Sequence, residues 1–149
     1  MEDRKSTSGC CFSLSAMVSW FDRKQSAIAL STVEAEYIAA CMAAREAVWL
    51  WKLLAGLSGQ RLEPTMIHCD NQSCVKMSNP VQHDRTKHVE MKYHYVREMV
   101  QRRAVELRHI PTDEQIADVL TKSLGRGKFL YFWGKLGVVE NVSLANREC

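Results

Sequence analysis

Three acidic residues stand where a charge is out of place, and together they could hold a hard divalent cation. Glu36 lies in the alanine-rich apolar stretch EAEYIAACMAA, Asp70 closes the apolar run TMIHC, and Asp118 sits inside IADVL. Carboxylates converging from helix starts and strand ends suit Mg²⁺, which takes oxygen ligands and keeps several of its waters. Two such ions, roughly 3.5–4 Å apart, activate a water and stabilise the leaving oxygen of a phosphodiester. Each acid also has a structural explanation. Glu36, early in a helix, meets the positive end of its dipole. Asp70 can cap the helix that follows. Asp118 can serve as a first-turn acid or pair with Lys122 four residues on. Spacing alone leaves both sets of roles open.

The elements that must position these acids follow from periodicity and punctuation. Residues 10–20, CCFSLSAMVSW, read as a strand, and Ser26 to Leu30 as a second, with the polar break Asp22-Arg23-Lys24-Gln25 as the turn of a hairpin. Ser31-Thr32-Val33-Glu34 fits a capping box, so a helix is expected from there to about Ala55, ending near Gly56. That helix is apolar over more than half its circumference and so should lie against a sheet. Its row Glu36, Ala40, Ala43, Ala47 is narrow enough for close approach of another element.

Further along, Thr65 to Cys69 reads as a short buried strand, and Asn71-Gln72-Ser73 opens a short helix that Asn79-Pro80 stops. An amphipathic helix is expected over 86–101, with Val89, Tyr93, Val96 and Val100 on one face. AVELRHI (104–110) alternates as a strand, Thr112-x-x-Gln115 offers a second capping box, and a last helix over 127–136 should bury Phe129, Phe132, Trp133 and Leu136. A hairpin followed by alternating helices and strands gives a mixed α/β class. One domain over 1–137 with a tail at 138–149 accounts for the whole chain.

Composition narrows the function classes. The 149 residues are 46% hydrophobic and 25% charged, as in an ordinary globular protein. No apolar run is long enough for a membrane span, and the start MEDRKSTSG has no apolar core of a secretory signal, so a cytoplasmic or nuclear protein with no membrane partner is expected. Of the six cysteines, Cys10, Cys11, Cys41, Cys69, Cys74 and Cys149, none forms a C-x-x-C pair, and reduced thiols are expected rather than zinc ligands. The net charge is only +3, yet six Lys and Arg face two Glu between Arg85 and Arg103. Such a basic stretch suits a phosphate backbone and suits a solvated helix face equally well.

Five motifs, taken in order, add what spacing does not. DRKSTSG (3–9), VSWFDRKQSAIALSTVEAEYIA (18–39), HCDNQS (68–73), RTKHVEMKYHYVRE (85–98) and IPTDEQIADVLTK (110–122) closely resemble the ribonuclease H domain of copia-type retrotransposon Pol polyproteins, especially those of plants. The resemblance implies a ribonuclease H-like fold, a five-stranded mixed sheet flanked by helices. It implies hydrolysis of the RNA strand of RNA–DNA hybrids with two Mg²⁺ or Mn²⁺ ions, next to a reverse transcriptase domain in the parent polyprotein. By motif, Glu36, Asp70 and Asp118 match three of the family's metal-binding acids. Arg85, Lys87, His88 and Lys92 match a motif that points to nucleic-acid contact, with core packing an equal competitor for His88. Glu34 is better explained by the capping box, and His109 as a strand residue.

The family's domain begins with a strand of the form Y-S-D-A-D-W-A-G, central in the sheet, whose first aspartate completes the acid set. Met1-Glu2 directly precedes the DRKSTSG motif here, so that strand and its aspartate are expected to be missing, and neither Asp3 nor Asp22 is placed to substitute. The hairpin and the strand ending in Asp70 should then each lack a ladder partner. Impaired catalysis follows as an expectation. The alternative is a remnant or domesticated protein that binds nucleic acid without cutting it.

Overall fold

A computed structural model describes residues 4–59, 63–79 and 90–138, without the side chains of 90–93. In place of the expected five-stranded sheet, the described strands form two separate two-stranded sheets. The first is an antiparallel hairpin of β1 (Thr7–Leu14) and β2 (Ala16–Lys24); the second pairs β3 (Thr65–Cys69) with β4 (Val105–His109) in parallel. Both halves lie against one long helix, α1 (Thr32–Ser58). Among the described residues no ladder joins β1 to β3.

The hairpin corrects the sequence reading by half a strand. Its turn is at Ser15, inside the expected first strand, where Leu14 pairs with Ala16 and Ser15 takes φ 62°. The charged run Asp22-Arg23-Lys24 is strand rather than turn, and 26–30 is irregular. The physical reason is that β2 is an edge strand whose Asp22, Arg23 and Lys24 point to solvent, where charge costs little and discourages edge pairing. Gln25 then ties the hairpin to α1. Its buried amide donates to Ser8 Oγ and to the Ala35 carbonyl, each at 2.9 Å.

Helix α1 begins as expected. Ser31 Oγ accepts from Glu34 N–H, and the Glu34 carboxylate accepts in turn from Leu30 N–H at 2.7 Å. It ends later than expected, at Gly59 (φ 68°), whose N–H bonds the Ala55 carbonyl; Gly56 is simply a helical residue. Only a residue free of Cβ strain closes a helix cheaply in that left-handed conformation. The small row is buried as expected: Ala40, Ala43, Ala44 and Ala47 form the floor on which Cys10, Ile67, Val96 and Val105 pack.

The rest of the chain completes that core. α2 (Gln72–Ser78) is short, and α3 (Glu90–Gln101) buries Val96 and Met99. The segment 86–89, and with it Val89, lies outside the described residues, as does 139–149 of the expected tail. The second expected capping box does not form. Thr112–Glu114 and Ile116–Leu120 are two 3-10 turns, and Pro111 caps the first with no side-chain bond. Gln115 is drawn away from capping because its amide donates to the His68 carbonyl at 3.2 Å. In α4 (Arg126–Lys135) only Phe132 is buried. Phe129 and Trp133 stay more than a third exposed and stack on each other with ring centroids 5.1 Å apart. The expected four-residue buried face is not covered, because α4 packs on the second 3-10 turn while Lys128 and Tyr131 reach Asp113 and Glu114 of the first.

One glycine sets how closely the parts meet. A Cβ on Gly9 of β1 would stand 2.7 Å from Thr121 Cγ2 and 3.1 Å from the Ala117 carbonyl, on the turn that carries Asp118. Gly9→Ala should therefore lower stability by about 1–3 kcal/mol, the usual cost of overpacking. Gly134→Ala, in α4 with open space around it, should be neutral or stabilising by up to roughly 1 kcal/mol. Urea unfolding of the two variants separates these outcomes, and equal midpoints would contradict the close approach at Gly9.

Candidate acidic site

Glu36 is on the second turn of α1, past the first-turn position held by Glu34, so it is not simply an acid at the dipole's positive end. Asp70 follows the last residue of β3. It is not the cap of α2, because Asn71 does that work: its side-chain oxygen accepts from Cys74 N–H at 3.1 Å. The structural explanation available to Asp70 in the sequence is thus taken by its neighbour. Asp118 is buried in the second 3-10 turn and pairs with Lys122 Nζ at 2.9 Å, as the four-residue spacing allows.

These positions meet at one corner of the molecule. Ligand atoms of Glu36, Asp70 and Cys69 all lie within 4.8 Å of one another. Asp118 belongs to the same electrostatic neighbourhood. Burial first, then repulsion from Asp70 and Asp118, pushes the Glu36 carboxyl above the usual carboxylate range, and among the described residues Lys122 pulls it back. Burial draws the Lys122 ammonium down, but its hydrogen bond to Asp118 and the charges of Asp118, Asp70 and Glu36 outweigh that and raise it. Lys122, read from the sequence only as a partner for Asp118, is in fact the shared counter-ion of all three acids. Its spacing from Asp118 signalled the pair and nothing more.

Cys69 is the second residue the sequence reading passed over. Its thiol is buried beside the acids, and a hydrogen bond from the Cys74 thiol favours the Cys69 thiolate while pushing Cys74 well up. Burial likewise pushes Cys10 up to about 12. The five described cysteines form no disulfide with one another. Nothing in the order of residues announces that a cysteine next to Asp70 would face Glu36; that depends on α1 crossing the end of β3.

The expected nucleic-acid residues are not among those described. Arg85, Lys87 and His88 lie outside the described residues, as does the Lys92 side chain. Of the remaining basic stretch, Arg97 donates to the Met77 carbonyl at 2.8 Å, and Arg102 pairs with Glu98 one turn back.

Comparison with known proteins finds relatives over most of the chain. Over 131 residues, 87% of the chain, it is 41% identical to a retrovirus-related Pol polyprotein from transposon TNT 1-94 of Nicotiana tabacum. The chain matches a stretch of plant transposon Pol polyproteins. Those from transposons RE2 and RE1 of Arabidopsis thaliana are 39% and 38% identical over 83% and 81% of it. The chain spans about a tenth of the length of these relatives. No family model and no solved structure matches. No described helix is long and apolar enough to cross a membrane.

The site's electrostatics predict opposite responses to two substitutions. Asp70→Asn removes a repulsive neighbour and should lower the Glu36 titration midpoint; Lys122→Met removes the attractive one and should raise it. Carboxyl ¹³C NMR titration reads both. Because the folded midpoint is above the unfolded one, the Glu36 carboxyl favours folding only where it is protonated. Its contribution falls as pH rises from the ordinary carboxylate range through the folded midpoint. Unchanged Glu36 midpoints in both variants would contradict a shared site.

Proposed function

We propose that this stretch is a ribonuclease H-like domain of a transposon polyprotein, built to hydrolyse the RNA strand of RNA–DNA hybrids. The observation that carries the reading is the convergence of Glu36 and Asp70, with Asp118 coupled to them through Lys122. The resemblance across five ordered motifs and the likeness to Pol polyproteins support it.

The donor set suits a hard divalent cation, because carboxylate oxygens gather on a partly buried corner whose negative charge Lys122 offsets only in part among the described residues. Glu36, Asp70 and Asp118 would hold Mg²⁺ or Mn²⁺ there. Bound ions would supply an activated water and stabilise the leaving oxygen. The chain's own residues do the remaining work. Burial of Asp118 and the 3-10 turn fix one wall; the Asn71 cap leaves the Asp70 carboxylate free of a helix-capping role. Lys122 neutralises the corner while no cation is present and must give way to one, so its exposed side chain sets part of the binding cost. Substrate would be held by shape, phosphate and 2′-hydroxyl contacts rather than by base identity.

Three carboxylates stand where the resembled family uses four, so this chain alone should cleave slowly. On a labelled RNA–DNA hybrid in Mg²⁺, the chain and its Asp70→Asn variant are expected to give the same near-background rate. Fast cleavage abolished by that substitution would overturn the impairment. Fusing a Y-S-D-A-D-W-A-G strand ahead of Asp3 is expected to restore cleavage that Asp70→Asn or Asp118→Asn then removes. A folded fusion without hybrid-directed cleavage would overturn the assignment itself.

A further inference from the structure

Cys69 has no part in the proposed hydrolysis, yet its sulfur faces the carboxylates that do. Glu36 comes from α1, Cys69 ends β3 and Asp70 directly follows it, and one ligand atom from each lies within 4.8 Å of the other two. The thiol is buried, and Cys69 and Glu36 both line a hollow of 260 Å³ that gives a small ion and its waters a way in. Carboxylates alone would favour a hard cation, and a sulfur set among them changes the preference. We propose that this corner is also a site for a thiophilic divalent cation of the Zn²⁺ class, held by Cys69 Sγ and one oxygen each of Glu36 and Asp70, and that such an ion keeps Mg²⁺ out.

Ligand chemistry separates the two ions. Mg²⁺ takes oxygen donors in octahedral geometry and gains nothing from a thiol. Zn²⁺ accepts thiolate and carboxylate together in a tetrahedral shell, with bonds of about 2.3 Å to sulfur and about 2.1 Å to oxygen. Donors in such a shell stand roughly 3.5 Å apart, so side-chain rotations of about an ångström close the present spacing onto the ion. Water from the hollow completes the shell. As the metal–sulfur bond forms, the S–H bond breaks and its proton leaves to solvent. What the thiol gives up is a long hydrogen bond to the Asn71 carbonyl, at 3.7 Å. The wholly buried Cys74 thiol is hydrogen-bonded to the Cys69 sulfur and orients it from behind.

The third acid marks the difference in cost. Asp118 is paired with Lys122 at 2.9 Å. A cation held by all three carboxylates must displace that lysine, whereas one held by Cys69, Glu36 and Asp70 leaves the pair intact. Exclusion of Mg²⁺ rests on the proposed catalytic site, because both ions need Glu36 and Asp70. The bond to sulfur does not rest on it.

The probe is ¹¹³Cd²⁺, an NMR-active stand-in for Zn²⁺, added to the reduced full chain. One ¹¹³Cd resonance is expected, shifted toward thiolate ligation and scalar-coupled to the Cys69 β-protons. Equimolar Zn²⁺ should discharge it and excess Mg²⁺ should not. Asp118→Asn is expected to keep the signal, and Cys69→Ser to lose it, with Cd²⁺ affinity falling roughly tenfold or more. The coupling is read on the unaltered chain, so a variant that fails to fold leaves the test intact. No coupling to Cys69, coupling to a different cysteine, or ready displacement by Mg²⁺ would overturn the proposal. Mn²⁺ broadening around Glu36, Asp70 and Asp118 without that coupling would overturn it while the nuclease reading stands. Coupling without the Mn²⁺ broadening would support the sulfur site and remove the catalytic one.

Discussion

Negative charge gathered at one corner, offset among the described residues by Lys122, is the constraint on which the rest depends. Glu36, Asp70 and Asp118 come from a helix, a strand end and a 3-10 turn, and their mutual repulsion is unfavourable to folding. Such an arrangement persists only where packing imposes it. The packing is identifiable: the alanine row of α1 lets β3 and β1 approach, and Gly9 lets the turn bearing Asp118 close against β1. Lys122 relieves part of the repulsion without removing it.

That constraint explains why the fold is organised around α1 rather than around a continuous sheet. The helix touches both half-sheets and both neighbouring helices, and its buried face is almost entirely small side chains. A small floor suits a tightly packed strand layer. Here it supports two strand pairs and the cleft between them, so the same feature that gathers the acids also leaves two ladder edges open. Site and cleft are two ends of one arrangement, with Glu36 and Cys69 bordering both.

Much of this was legible in the order of residues. The start of α1, the span of β3 and the three acids were all visible, because capping chemistry, short apolar runs and misplaced charges are local signals. The hairpin register was not: Ser15 in a left-handed turn carries no glycine or asparagine to mark it, and the charges of β2 look like a turn until the strand is known to be an edge. The second capping box failed because Gln115 had a better partner in the His68 carbonyl, 47 positions away in the chain. Cys69 and the wider role of Lys122 were invisible for the same reason. Both depend on which elements cross, and no short window of sequence contains that.

The central claim is that the carboxylates at 36, 70 and 118 form one site able to take a divalent cation. Mn²⁺ titration followed in the ¹H–¹⁵N spectrum tests it most directly, since the paramagnetic ion broadens only nearby amides. The account predicts early broadening centred on residues around Glu36, Asp70 and Asp118 together, reversed by excess Mg²⁺. Broadening that is absent, scattered over the surface, or centred on one of the three without the others would contradict it.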